Sequence, residues 1–102
     1  MKAAKFLSNY LKAQLLEGNG PQILTIRTGK EEGVGLGENQ EQKLVVYFKE
    51  IEQGLVLNKT NGKMLIRKLG DETEDWIGKQ IELYTTEVEF QGETQLGIRI
   101  RL

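Results

Sequence analysis

The side chains in this sequence best suited to recognition chemistry are arginines, lysines and tyrosines. Arg27, Arg99 and Arg101 take the polar positions of alternating stretches whose apolar positions are Leu24 and Ile26, then Ile98, Ile100 and Leu102. A guanidinium grips phosphate through two parallel hydrogen bonds and stacks its flat face on a base. Three of them on one surface would make a nucleic-acid patch. The plainer reading is that they pair with Glu82, Glu87 or Glu89 on a neighbouring strand. Lys59, Lys63 and Arg67 recur every fourth residue, which lines them along one side of a helix. The start of that helix offers unpaired N–H groups to an anion. Capping by Thr60 or Asn61, which stabilises by about 1 kcal/mol, accounts for the same composition without a ligand. Among the aromatics, Tyr47 and Phe48 are adjacent and so fall on opposite faces of a strand. Tyr84 follows the inward pair Ile81 and Leu83 and should point outward. An exposed ring on which a base stacks contributes roughly 1–3 kcal/mol per base. Trp76 and Phe48 read as core, and Phe90 is a further aromatic on a predicted strand.

The chain has no cysteine and no histidine. That excludes disulfides, thiolate nucleophiles, Cys/His zinc sites and the serine–histidine and cysteine–histidine catalytic arrangements. Asp71, Glu72, Glu74 and Asp75 form an acidic run, but it lacks the alternating ligands and central glycine of a calcium loop and reads as a solvated turn. Gly33-Val34-Gly35-Leu36-Gly37 imitates a nucleotide loop without the strand before and helix after that such a loop needs. No catalytic constellation, metal site or cofactor is therefore expected. The net charge of −1 rules out a polybasic nucleic-acid coat, so any electrostatic binding must be local.

These residues need a scaffold, and 102 residues are enough for one compact domain. Phe6 to Leu16 has apolar steps of three and four, which predicts a short helix or turn with Ser8 or Asn9 as its cap. Strands are predicted at 22–28, 43–49 and 54–58. Residues 29–42 hold no core face and read as a loop or a flexible hairpin end. A helix is predicted at 60–70, closed by Gly70. A fourth strand is predicted over 80–85, with a longer version reaching Phe90 as the alternative, a turn follows at Gln91-Gly92-Glu93, and a fifth strand spans 94–102. The stretch Leu44-Val45-Val46-Tyr47-Phe48 is apolar on both faces, so the strand is central or has its outer face covered, for which the N-terminal segment or a second subunit are candidates.

The lone helix falls between the third and fourth strands, as in the five-stranded oligonucleotide/oligosaccharide-binding (OB) barrel. The competing architecture is an open sheet packed on one helix. The segments Lys43-Leu44-Val45-Val46-Tyr47-Phe48, Leu55-Val56-Leu57-Asn58-Lys59-Thr60-Asn61, Gly70-Asp71, Asp75-Trp76-Ile77-Gly78-Lys79 and Gly97-Ile98-Arg99-Ile100-Arg101 resemble a family of small bacteriophage- and prophage-encoded proteins. Tyr10-Leu11-Lys12-Ala13 adds a weaker match. The resemblance implies an OB-like fold and an accessory role in phage DNA metabolism, and it brings no catalytic residues.

The expectation is a single non-catalytic OB-like domain that binds single-stranded DNA or RNA in phage replication or recombination. Its partners would be replication or recombination proteins, or further copies of itself. The alternative is a protein-interaction or structural adaptor that binds no nucleic acid. There is no apolar run near the roughly 20 residues needed to cross a bilayer, and Met1 to Leu16 does not read as a secretory signal. A cytoplasmic location without membrane contact is expected.

Overall fold

The scaffold is organised by one long strand that serves two neighbours. In the computed structural model, which describes residues 10–16, 20–35, 38 and 40–102 but not the side chains of Leu15 and Phe90, β1 spans Gln22–Val34. Its first residues, 22–25, pair antiparallel with β4, Gln80–Phe90. From Ile26 onward it pairs antiparallel with β2, Glu41–Phe48. The register slips between Ile26 and Thr28, so Arg27 is the extra residue of a bulge. A bulge bends and twists its strand, which lets β1 leave one neighbour for the other. β3 is only Leu55–Val56 and pairs with β2. β5, Glu93–Arg101, pairs with β4 along its whole length. The order across the five-stranded antiparallel sheet is β3-β2-β1-β4-β5.

Among the described residues two α-helices accompany the sheet. α1, Ala13–Leu16, is one turn near the N-terminus. The main helix α2, Lys59–Leu69, lies in sequence between β3 and β4, as predicted. Its cap differs from the expectation. Asn58 caps it, its side chain accepting from the Asn61 N–H at 2.8 Å, while Asn61 itself is buried and donates to the Ile98 carbonyl at 3.0 Å. Gly70 closes the helix with φ of 99°, a conformation glycine adopts without strain. A short 3-10 turn, Thr73–Trp76, then sets Trp76 into the core, where its Nε1 donates to the Gly70 carbonyl at 2.9 Å.

Inward residues of every strand meet in one cluster. Leu24, Ile26, Val46, Phe48, Leu55, Ile81, Leu83 and Ile100 pack with Leu65 of α2, Leu16 of α1 and Trp76. The sheet is nevertheless not a closed barrel, which corrects the expected architecture. β3 runs out after two residues because Asn58 is already committed to capping α2, so β3 and β5 stay unpaired edges. The seam between them is spanned by other means. Asn61 reaches β5 from α2, and the N-terminal segment pairs with Gly54 just before β3 while α1 packs on β4 and β5.

Two further expectations are revised. Residues 29–34 are strand rather than loop, and β2 already begins at Glu41. This end of the β1–β2 hairpin projects past the core, so both faces stay partly wet and no core pattern is written into it. Leu36 and Gly37 of the glycine-rich run, and the capping candidates Ser8 and Asn9, lie outside the described residues. The outer face of β2 is covered by the chain itself. Val45 is fully buried, and a Cβ on Gly54 would stand 2.6 Å from its Cγ1 and 2.9 Å from the Tyr47 ring, so only glycine fits there. The Leu11 N–H donates to the Gly54 carbonyl at 2.8 Å beside it. The two-sided apolar pattern of β2 thus needs no second subunit.

Candidate nucleic-acid interface

The predicted recognition residues fall into three groups, two of which adjoin. On the outer face of β4 and β5 the register sets Tyr84 opposite Arg99 and Glu82 opposite Arg101. The core positions Ile81, Leu83 and Ile100 point the other way, which fixes these four outward. Arg101 Nη1 donates to Glu82 Oε2 at 2.9 Å, and its guanidinium carbon lies 4.2 Å from the centre of the Tyr84 ring. Arg99 Nη1 donates to the neighbouring Ile98 carbonyl at 3.1 Å. The plain reading of arginines paired across strands therefore applies to Arg101. Among the described residues Arg99 has no carboxylate partner.

The second group is α2. Lys59, Lys63 and Arg67 are all exposed, and the helix carries no acidic residue along its length. Asn61 and Leu65 are its buried positions, so the cations occupy the side turned from the core. Among the described residues the ion pairs are Lys43–Glu41 and Arg101–Glu82, which leaves the α2 cations without carboxylate partners. A groove of about 450 Å³ connects this group to the first. Asn58, Lys59 and Thr60 line it on one side, and Gln95 to Arg99 with Val88 and Glu89 line the other. Lys59 and Arg99 thus share one groove, with Glu89 as its single carboxylate. Gly97 keeps the β-face of this groove shallow, since a Cβ there would come 2.9 Å from Val88 Cγ2.

The third group stands apart on β1 and β2. Arg27 was expected beside Arg99 and Arg101. The bulge instead turns it over Tyr47, where it and Lys30 each lie 5.6 Å from the ring centre. The Tyr47 hydroxyl donates to Glu32 Oε2, and the Tyr10 hydroxyl donates to Glu32 Oε1 at 2.9 Å. Hydrogen bonding to that carboxylate pushes the Tyr47 phenol up to about 12, and it raises Tyr10 as well. The same two bonds, that from Tyr47 first, hold Glu32 below the ordinary carboxylate range. Lys30, Glu32 and Tyr10 were not legible as a group. They sit on a segment read as loop and on a distant N-terminal turn, and the β1–β2 register together with the pairing of Tyr10 with Gly54 brings them together.

No transmembrane-length apolar helix occurs among the described residues, nor any group of three or more carboxylates placed to hold a metal ion. The acidic run 71–75 is spread over the exposed turn before β4. No family model, curated protein or solved structure matches the chain significantly.

Proposed function

We propose that this chain is a non-catalytic module that binds single-stranded nucleic acid across the outer face of β4–β5 and along the basic side of α2. One observation carries the reading. Lys59 and Arg99 line a common groove, so the cationic stripe of α2, which has no carboxylate of its own, adjoins the strand position directly opposite Tyr84. Phosphates would follow the cations and bases would stack beside them, the division of labour seen in sequence-tolerant single-strand binders. The net charge of −1 is compatible with this because the cations of α2 lie on a helix that carries no carboxylate. The helix between β3 and β4 and the likeness of 43–101 to the phage and prophage family support an OB-like relationship. They also support a role in phage DNA replication or recombination.

Fluorescence anisotropy of a labelled single-stranded oligonucleotide tests the reading. Binding in the micromolar range at low salt is expected. Lys59, Lys63, Arg67 and Arg99 would give about four phosphate contacts, hence a log–log salt slope of about −3, at roughly −0.7 per contact on a single strand. Replacing Lys59, Lys63 and Arg67 together by glutamine should flatten that slope by about 2. An unchanged anisotropy at low salt would remove the proposal.

A further inference from the structure

The contact between Arg101 and Tyr84 is closer than the other cation–ring contacts among the described residues. Its 4.2 Å compares with 5.6 Å for Arg27 and for Lys30 over Tyr47, and it is short enough for the guanidinium to lie against the ring. Glu82 fixes one edge of the group at 2.9 Å, from the register position directly opposite on β4. Tyr84 therefore covers one face of the guanidinium, and Glu82 limits its rotation. The Arg101 side chain remains 60% exposed, so it also presents itself to solvent.

We propose that Arg101, backed by Tyr84 and held by Glu82, is the platform on which a base of the bound strand stacks, and that Tyr84 and Glu82 are positioning residues. This rests on the single-strand-binding reading above. A base arriving from solvent over this part of Tyr84 meets the guanidinium before the phenol ring. A flat guanidinium stacks on any base, and only one of its five N–H groups is needed for Glu82, so others remain for an adjacent phosphate. The pairing with a carboxylate is worth little as a stabiliser at so exposed a site. Its consequence is geometric, because it holds one edge of the guanidinium while the carbon lies over the ring. A platform of this kind takes unpaired bases whatever their sequence, whereas a duplex hides its base faces. The ligand class is therefore single-stranded and the preference among bases is weak.

The test uses the full chain and a single-stranded oligonucleotide carrying a fluorescent adenine analogue whose emission falls on stacking. Arg101→Lys keeps the charge and loses the plane. It is expected to leave the salt slope as in the wild type, to weaken binding about tenfold and to abolish most of the quenching. Tyr84→Leu should reproduce the loss of quenching with Arg101 present, while Tyr84→Phe, which keeps the ring, should quench as the wild type does. Far-ultraviolet circular dichroism verifies the fold of each variant. Quenching retained in Arg101→Lys but lost in Tyr84→Leu would overturn the proposal in favour of stacking on the tyrosine, with the single-strand reading intact. Quenching retained in both would likewise overturn it. A wild-type protein that binds no oligonucleotide would overturn the reading and this inference together.

Discussion

Glu32 departs from its ordinary ionisation because two phenols donate to it. It accepts from Tyr47 and Tyr10, hydroxyls contributed by β2 and by the N-terminal segment, and so ties three stretches of chain at one carboxylate. Ionising Tyr47 would forfeit its hydrogen bond to that carboxylate and, on top of the cost of burial, set a second negative charge beside it, which is why its phenol rises from 10.0 to about 12. A group whose pKa is raised on folding contributes stability that is complete below its unfolded value and lost as pH climbs through its folded value. The Tyr47 contribution should therefore be intact up to pH 10 and disappear between pH 10 and about 12. In a spectrophotometric tyrosinate titration, one phenol of the folded protein should ionise late, near 12. Glu32→Ala should return it toward 10 and remove the corresponding alkaline fall in stability. An unchanged titration in that variant would show that the carboxylate does not set the Tyr47 equilibrium. The depressed Glu32 works at the other end of the scale, its contribution present at neutral pH and lost on acidification through its folded value.

At the scale of elements, α2 depends on how it starts. Asn58 has extended dihedrals, φ −91° and ψ 178°, and its side chain satisfies an N–H that the helix cannot. Asn58→Ala should cost about 1 kcal/mol, read as a lower urea midpoint with an unchanged slope. Asn58 is exposed and lies at the groove, so its replacement also tests whether helix geometry there matters to binding. The main elements were legible because their periodicity is tied to the core. Leu24 and Ile26, Ile81 and Leu83, and Ile98 and Ile100 alternate inward, and Leu65 with Trp76 marks the other side of the cluster. The cap was misassigned by two residues because Asn58, Thr60 and Asn61 are all capping types. What separates them is a long-range fact, the Ile98 carbonyl that claims the Asn61 side chain. The extension of β1 to Val34 was hidden for the opposite reason. Its residues face water on both sides, so pairing with β2 holds them and no apolar pattern records it. The outward placement of Tyr84, Arg99 and Arg101 followed from alternation alone. The position of Arg27 did not, since a bulge interrupts the alternation it was inferred from.

At the scale of the whole molecule, the question is how a sheet with two unpaired edges remains one cooperative unit. Hydrogen bonds do not join β3 to β5, yet the side chains from both meet in the same core as Leu16. The radius of gyration, 13.7 Å, is near the roughly 13 Å of a compact 100-residue domain, so the open seam does not loosen the chain as a whole. Residues 11–16 are then part of the core rather than an appendage. Leu16 is only 8% exposed and contributes to the cluster from outside the sheet. Its truncation to alanine should cost about 2–5 kcal/mol, a large share of the 5–15 kcal/mol typical of such domains. If the seam is closed by packing, that loss must appear as a shift of one shared transition. The buried Trp76 fluorescence, which reports the core, and the far-ultraviolet dichroism, which reports the sheet, should then fall together at a lower denaturant concentration. A variant in which an early transition appears by one probe and leaves the other in place would mean that the N-terminal segment detaches separately. In that case the sheet and α2 would hold the core without it.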